Sequence, residues 1–386
     1  MKDFNKIALE LHKKYQGKLS VEGRASVKDQ DDLSWVYTPG VAQPCKEIFK
    51  DREKMYDYTL KSRTVAVITD GSAVLGLGNI GAEASIPVME GKSLLLKEFG
   101  GVDSFLICVQ TQDPDEFVNV VKNIAPVFGG INLEDISAPK CIDVENRLKE
   151  ILDIPVFHDD QHGTAIILGA AVLNAAKVAN KKVSDLVISQ SGTGAAGINI
   201  IKMLKQLGVK EIRAFNINGV VNSSTKSKND KYVNQLLDDK IIHDNDLKDL
   251  ADIVKGSDVF IGVSVANILT EDMIKSMNDK PIVFAMANPD PEIKPELAKN
   301  AGVYILGTGR SDYPNQINNV LAFPGIFKAL LVTRQQVTDE VKLATAKAIA
   351  SCVPENELSP DKVIPNPFDK KVPEIIYETL LKIANK

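Results

Sequence analysis

Short apolar segments of strand-like length alternate with helical patterns along most of this 386-residue chain. Segments such as TVAVITD, DSFLICVQ and INLEDIS precede amphipathic stretches, and a second series runs from DLVISQ to VYILGTG. This alternation is typical of parallel sheets whose two faces are covered by helices. We therefore predict an α/β protein with two sheets. TVAVITD and the following GSAVLGLG are expected to form a hairpin-like pair.

The length predicts two domains of ordinary size. The first series of strands ends near residues 161–163, where a long Ala-rich helical stretch begins that is expected to connect the two sheets. We predict an N-terminal α/β catalytic and metal-binding domain over residues 1–162. Residues 163–386 are predicted to form a Rossmann-like, doubly wound NAD(P)-binding domain with C-terminal helices.

Composition narrows the classes of partner. The net charge is −5 and no basic stripe is evident, which argues against nucleic acid as a partner. The four cysteines are scattered without a CxxC pair, as expected for thiols in a reducing compartment. The first residues predict an amphipathic helix rather than a signal peptide, and no apolar run is long enough for a membrane span. We predict a cytoplasmic protein with no nucleic-acid or membrane partner.

Two stretches have the G-x-G-x-x-G spacing of a dinucleotide-binding turn. The second, ISQSGTGAAGIN, lies between a predicted strand and a predicted helix, and the next strand ends at Asn216, where a ribose-binding side chain is expected. The first, AVLGLGNIGAEA with Gly76, Gly78 and Gly81, follows half of the predicted hairpin, so we expect it to allow close backbone packing or to line the cleft. The predicted cofactor-binding residues are Ser191, Gly192, Thr193, Gly194, Ala195, Ala196, Gly197 and Asn216.

Four acidic residues follow two of the predicted strands. Glu134 and Asp135 end INLEDIS, and Asp159 and Asp160 end IPVFHDD. Ligands of open α/β sheets bind outside the carboxyl ends of the strands, where four carboxylates repel one another unless a cation or protons intervene. Oxygen ligands of this kind suit Mg²⁺ or Mn²⁺. Helix capping and a solvated loop explain the same acids equally well, so the acids alone leave both interpretations open.

Other polar residues stand where predicted strands end or helices begin. Tyr37 lies in a turn before a helix, and Lys92 lies within a helix; either side chain is able to move a proton. Three amides, Asn288, Asn318 and Asn319, are suited to binding a carboxylate or hydroxyl, or to tying turns together.

In their order along the chain, these motifs resemble those of malic enzymes. They are SWVYTPGVA, TDGSAVLGLGNIG, VMEGKSLLLKEFGG, INLEDIS, FHDDQHGTA, SGTGAAG, MANPDPE and NNVLAFPG, and the length resembles the short prokaryotic type. The resemblance spans nearly the whole chain. It implies oxidative decarboxylation of (S)-malate to pyruvate and CO₂ with NAD or NADP and a divalent metal, Mg²⁺ or Mn²⁺. It also implies oxaloacetate as a further substrate for decarboxylation, and a homodimer.

The resemblance implies a role for each candidate residue. Lys92 is expected to be the general base for the C2 hydroxyl, with a pKa lowered by burial or a nearby cation. Tyr37 is expected to protonate C3 of enolpyruvate, and Asp159 to orient Lys92 or tune its charge. The implied metal ligands are Glu134, Asp135 and Asp160, and the implied substrate-binding amides are Asn288 and Asn318, with Asn319 as the alternative.

The chain departs from the family pattern at two places. Ser72 and Ala73 stand where long-type malic enzymes carry an arginine, which leaves the partner of the substrate's C4 carboxylate unnamed. Asn216 stands where NAD-preferring relatives carry Asp, so NADP is expected to be accepted with NAD still usable. Two other functions stay open: another metal-assisted 2-hydroxyacid oxidoreductase or decarboxylase, and a non-catalytic dinucleotide-sensing protein, which would not need Tyr37, Lys92 and the acids.

Overall fold

The computed structural model describes residues 3–74 and 76–385. Within these residues, the helices α1 to α16 are Phe4–Tyr15, Gln30–Val36, Ala42–Lys50, Met55–Tyr58, Gly81–Gly100, Pro114–Ile124, Lys140–Ile151, Asp159–Ala179, Ala195–Gln206, Lys231–Asp238, Leu250–Val254, Glu271–Lys275, Pro295–Asn300, Phe323–Thr333, Asp339–Ser351 and Lys371–Ala384. The strands β1 to β10 are Thr64–Thr69, Asp103–Cys108, Gly130–Leu133, Val156–His158, Val187–Ser191, Glu211–Asn216, Gly219–Val220, Val259–Gly262, Ile282–Ala285 and Ile305–Thr308.

The N-terminal sheet has the strand order β2-β1-β3-β4, and its paired strands all run parallel. Every residue of β1 and β3 is buried, which is the pattern of parallel strands covered on both faces. Because the strands are parallel, their carboxyl ends lie along one edge, and the segments that follow β1, β3 and β4 meet there.

The C-terminal sheet has the order β10-β9-β8-β5-β6-β7, with only β7 antiparallel to its neighbour. The chain continues from β5 to β6 on one side and later returns to place β8 on the other side of β5. The strand order therefore reverses at β5, and a ligand crevice is expected outside the carboxyl end of that strand. The predicted α/β class with two parallel sheets is confirmed.

Helix α8 lies in the core between the two sheets. Contrary to the expectation from the sequence, it is long and apolar enough to cross a membrane by length and composition, but 78% of its apolar window is buried inside the protein. Its many Ala and Gly residues allow the close approach of α9 and α15, which pack against it. The predicted domain boundary after residue 162 falls within this helix and stays a prediction.

The C-terminal helices return to the N-terminal sheet. Helix α14 packs against α5 and β3, and Phe327 meets the ring of Phe157 from β4 edge-on at a centroid distance of 5.9 Å. Side chains of α14 occupy the space above Gly129 and Gly130, where a Cβ atom would lie 2.7 Å from Leu331 Cδ2 and 3.3 Å from Phe327 Cε1, respectively. One continuous core therefore joins the two sheets.

The predicted hairpin is wrong. TVAVITD forms β1, which pairs in parallel with β2 and β3. The described part of GSAVLGLG forms a turn with a single isolated bridge between Val74 and Gly78, while Leu75 lies outside the described residues. The apolar run was not a second strand because backbone hydrogen bonds fold the turn onto β1's own end: the amides of Ile80 and Gly81 both donate to the carbonyl of Gly71.

Candidate active site

Three acids meet at the carboxyl edge of the N-terminal sheet. Glu134 and Asp135 directly follow β3, and Asp160 lies in the first turn of α8, just after β4. One carboxylate oxygen from each of the three lies within 4.8 Å of the other two. Glu134 and Asp135 are buried, while the side chain of Asp160 is 37% exposed. Three converging carboxylates with one open side form a donor set that fits Mg²⁺ or Mn²⁺.

The electrostatics of this edge also fit a cation. Burial raises the pKa of Glu134 well above its ordinary value, and the negative charges of Asp160 and Asp159 raise it further against the opposing effect of Lys92. A positive ion among these carboxylates would favour their charged forms. The sequence left open whether these acids are metal ligands or cap helices, and the structure brings Glu134, Asp135 and Asp160 together.

Lys92 from α5 lies in the middle of these acids. Its Nζ donates to Asp159 Oδ2 at 2.5 Å and lies 2.9 Å from Glu134 Oε1 and 4.4 Å from the centre of the Phe323 ring. Burial disfavours its charged form, but the charges of Asp159, Glu134 and Asp160 outweigh burial and raise the pKa of Lys92 above its ordinary value. This direction is opposite to the lowered pKa expected of a general base, so the acids alone hold Lys92 protonated.

Asp159 is fully buried and links Lys92 to the C-terminal part of the chain. Its Oδ2 accepts from Asn319 Nδ2 at 3.1 Å as well as from Lys92, and Asn319 Oδ1 accepts from Thr164 Oγ1 at 3.2 Å. Asn318 instead caps the following turn, with its Oδ1 accepting from the Val320 amide at 3.1 Å. Of these two amides, Asn319 is therefore the one that contacts the Lys92 cluster, which comprises Lys92, Glu134 and Asp159.

Asn288 and the first glycine stretch lie against each other. Asn288 follows β9, and its carbonyl oxygen would lie only 2.8 Å from a Cβ atom at Gly76, whose φ is +76°. A Cβ at Gly71 would likewise lie 2.2 Å from the carbonyl oxygen of Gly81. Gly76 is thus closely packed against backbone, which is one of the two uses expected for this stretch, whereas a Cβ atom at Gly78 or Gly81 would meet open space.

Tyr37 makes none of the described contacts that join the other predicted catalytic residues. It follows α2 and is 66% exposed, and none of the described contacts of Lys92, Asp159 or Glu134 involves it. Helices α1, α2 and α3, all of which the structure describes, contain no buried residue. The N-terminal segment that carries Tyr37 therefore has an unburied apolar surface in the single chain.

The second glycine stretch forms one wall of a cleft of about 640 Å³ outside the end of β5. A Cβ atom at Gly192 would lie 2.5 Å from the carbonyl oxygen of Val263, and one at Gly197 would lie 2.1 Å from that of Gly192. Gly194 has open space instead, which leaves its backbone accessible to a ligand. Helix α9 begins directly after it with Ala195 and Ala196, and no side chain caps its first amides; an uncapped helix start of this kind suits a phosphate group.

Asn216 ends β6 and lines this cleft, as its position in the sequence predicts. Its Nδ2 donates to Thr193 Oγ1 at 2.9 Å and to Asn229 Oδ1 at 3.0 Å, while its Oδ1 accepts from the Asn218 amide at 2.8 Å. Asp230 also lines the cleft, and its carboxylate accepts from the amides at the start of α10. Sequence reasoning missed Asn229 and Asp230, although Asp230 before a helical stretch is a recognisable N-cap.

Comparison with known proteins identifies the family. The model of the malic enzyme N-terminal domain matches residues 16–149, and the model of the malic enzyme NAD-binding domain matches residues 161–384. The chain belongs to the malic enzyme family. The bifunctional malic/malolactic enzyme of Bacillus subtilis is 52% identical, over 98% of this chain and 92% of that protein.

Further relatives of this malic enzyme use either nicotinamide cofactor according to their names. The NADP-dependent malic enzyme of Haemophilus influenzae is 45% identical, over 98% of this chain and 52% of that protein. The crystal structure of the NAD-dependent malic enzyme from Thermotoga maritima has a TM-score of 0.93 and 46% identity, and the match covers 97% of this chain and 98% of that chain.

The protein is an NAD(P)-dependent malate dehydrogenase (decarboxylating). It converts malate to pyruvate and CO₂ while the nicotinamide is reduced. Neither another class of 2-hydroxyacid oxidoreductase nor a non-catalytic dinucleotide sensor is favoured. In this malic enzyme, the Lys92 cluster and the cleft at β5 lie at the carboxyl ends of two different sheets, which α8 joins.

Proposed function

We propose that Glu134, Asp135 and Asp160 hold Mg²⁺ or Mn²⁺ during malate oxidation. The observation that carries this proposal is the convergence of the three carboxylates within 4.8 Å at the end of the N-terminal sheet. When bound, such an ion supplies Lewis-acid polarisation of substrate oxygen atoms. The three side chains would hold the ion near Lys92, whose Nζ lies 2.9 Å from Glu134 Oε1.

Lys92 is proposed to take the proton of the malate C2 hydroxyl as the neutral amine, once substrate and cation have lowered its pKa, and Asp159 is proposed to hold the ammonium group that results. The short contact between Lys92 and Asp159, and the hydrogen bond from Asn319 to the same Asp159 oxygen, support this arrangement. Phe323 covers Lys92 and helps to keep water away from it. Asn288, Asn318 and Asn319 are proposed to bind the substrate, with Asn319 acting in addition on Asp159.

Tyr37 is proposed as the general acid, and the enzyme is proposed to act as a homodimer in the cytoplasm. Tyr37 lies outside the cluster, so its hydroxyl must reach a site by movement of the N-terminal segment or by contact with a second copy. The unburied apolar residues of α1 to α3, which include Trp35 at 69% exposure, support a second copy. The four free cysteines are consistent with a reducing compartment.

Both nicotinamide cofactors are proposed to be used. Asn216 carries no negative charge that would repel the 2′-phosphate of NADP. Asp230, which lines the same cleft, carries such a charge. Asn216→Asp is expected to raise the KM for NADP and to shift the ratio of the two kcat/KM values towards NAD. An unchanged ratio would show that position 216 does not face the ribose.

A metal-removal experiment tests the central proposal. Dialysis against EDTA should abolish malate-dependent reduction of NAD(P) at 340 nm, and added Mn²⁺ should restore it. Asp160→Ala should stay inactive even in excess Mn²⁺, because one of three ligands is lost. Asp339→Ala, at an exposed acid of α15, is the control and should behave as wild type. Full activity of the dialysed enzyme in EDTA would contradict the metal site.

A further inference from the structure

The turn after β1 contains a hydrogen-bonded serine that touches neither the cofactor cleft nor Lys92 among the described contacts. Ser72 is 8% exposed and donates from its Oγ to Asp70 Oδ1 at 2.6 Å, and its backbone amide donates to the same oxygen at 3.0 Å. The other oxygen of Asp70 accepts from Lys140, whose Nζ also donates to the Gln112 carbonyl at 3.1 Å. Ser72 is thus held by a buried ion pair that joins the ends of several elements.

Ser72 and its neighbour hold the segment that contains two of the three acids. Ser72 Oγ accepts from the backbone amide of Ser137 at 2.9 Å, and the backbone amide of Ala73 donates to the carbonyl of Asp135 at 3.0 Å. These two hydrogen bonds, at the Asp135 carbonyl and at the Ser137 amide, attach the backbone around Asp135 to the turn after β1. The acidic segment after β3 is therefore tied to the turn after β1 and does not depend on its own strand alone.

Asp135 needs such support because of its backbone conformation. Its φ is +53°, in the left-handed region that residues with a Cβ atom adopt uncommonly, although Asp and Asn adopt it more often than the others. In this conformation its amide donates to Asp160 Oδ2 at 2.8 Å, which brings the third acid to the other two. Relaxation of Asp135 to a favourable φ would separate the carboxylates that converge at this edge.

We propose that Ser72 is a positioning residue for the divalent-cation site: it holds the segment 134–137 so that Glu134, Asp135 and Asp160 converge. This inference rests on the proposed metal site. A hydroxyl suits the position because it donates to Asp70 and accepts from Ser137 at the same time. Ser72 thus has a structural role at one of the two places where the chain departs from the family pattern.

The binding of Mn²⁺ to the full-length enzyme tests the proposal without reference to turnover. Free Mn²⁺ is measured by electron paramagnetic resonance in titrations of wild type, Ser72→Ala, Ser72→Thr and Ser85→Ala. Ser72→Ala should raise the Kd for Mn²⁺ by about 10–100-fold, the range seen when residues that orient metal ligands are removed. Ser72→Thr keeps the hydroxyl and should stay within about threefold of wild type. Ser85 is a buried serine of α5 that donates to the Ala82 carbonyl at 2.6 Å, so Ser85→Ala should leave the Kd unchanged.

Further measurements separate the possible failures. Asp160→Ala should weaken Mn²⁺ binding; if it does not, the metal site itself is wrong. If Asp160→Ala weakens binding and Ser72→Ala does not, the metal site stands and the role of Ser72 is overturned. A lower melting temperature of Ser72→Ala with an unchanged Kd would likewise reduce Ser72 to a structural residue. Should Ser72→Ala fail to fold, Ser72→Cys, with a weaker donor and acceptor, decides in its place: an unchanged Kd overturns the proposal.

Discussion

Lys92 shows how strongly single side chains at this edge depend on one another. Its ammonium group lies between Asp159 and Glu134 and is covered by Phe323, with only 12% of its side chain exposed. A charge so placed is costly to bury unless paired, and here the pairing outweighs burial, so the pKa of Lys92 is raised. Lys92 can therefore accept a proton from malate only when the bound substrate and cation lower its pKa.

Substitution of Lys92 tests its role. Lys92→Ala is expected to lower kcat for malate oxidation by about 10²–10⁴-fold, the usual contribution of a general acid–base group, with partial rescue by small amines. Lys97→Ala is the matched control, because Lys97 lies in the same helix, is 55% exposed and pairs with Asp103. Turnover of Lys92→Ala near the wild-type value at saturating malate and Mn²⁺ would remove Lys92 from the mechanism.

Asp230 is expected to limit the use of NADP. Asp230→Asn removes a negative charge from the cleft wall and should raise kcat/KM for NADP by about tenfold, which corresponds to about 1.4 kcal/mol. Asn is also a good N-cap, so α10 should keep its start. Asp238→Asn, at the exposed end of the same helix, should change neither cofactor's kcat/KM. If Asp230→Asn also leaves kcat/KM for NADP unchanged, Asp230 does not face the 2′-phosphate of the bound cofactor.

At the scale of elements, α7 and α8 are joined by a buried polar contact behind the acids. His162 Nε2 lies 2.8 Å and 2.9 Å from the two carboxylate oxygens of Glu145, and Lys149 pairs with the same carboxylate at 2.8 Å. Burial lowers the pKa of His162 from its ordinary 6.5 to about 4, against the opposing charge of Glu145. His162 is therefore neutral in the folded protein at neutral pH.

This contact predicts a pH dependence of stability. Between pH 6.5 and about 4 the unfolded chain binds a proton at His162 that the folded protein does not, so the free energy of unfolding should fall as pH falls through this window. The full loss from this group is about 3 kcal/mol. Melting curves from pH 7 to 4.5 should show a shallower loss for His162→Gln than for wild type. His243→Gln, at an exposed position, should follow wild type; equal slopes for all three proteins would contradict the assignment.

At the scale of the whole molecule, the N-terminal segment is the part with the least burial. Phe49 is 91% and Trp35 is 69% exposed in the single chain, which is unusual for large apolar side chains near one another in sequence. Phe49→Glu with Trp35→Glu is expected to convert the proposed dimer to a monomer of 42.0 kDa in light scattering after gel filtration. Val332→Glu, at an exposed position of α14, is the control. A monomeric wild-type enzyme would contradict the proposed dimer.

Mixed dimers of two variants test whether Tyr37 serves the site of its own chain or that of a second copy. Tyr37→Phe and Lys92→Ala are expected to be poorly active alone. If Tyr37 serves the site of a second copy, mixed dimers of the two variants contain one intact site and should regain activity. If the N-terminal segment closes on its own chain, mixing should restore nothing.

Local sequence patterns are sufficient for the architecture and for the position of most candidate residues along it. Alternating strand and helix patterns led to two parallel sheets, and parallel strands necessarily bring Glu134 and Asp160 to one edge. The glycine spacing was sufficient to predict the second glycine turn, because a Cβ atom at Gly197 would clash with the carbonyl of Gly192 within the turn itself. These features are local or follow from strand direction, so a single sequence contains them.

Contacts between residues far apart in the chain could not be predicted from local sequence patterns. The hairpin prediction failed because the pairing of β1 with β2 and β3 depends on strands that local patterning cannot rank. Two such contacts are the hydrogen bond from Asn319 to Asp159, 160 residues apart, and the hydrogen bond from the Ser137 amide to Ser72, 65 residues apart. Such contacts are selected by packing of the whole core, in which α14 returns to the first sheet and α8 joins the two.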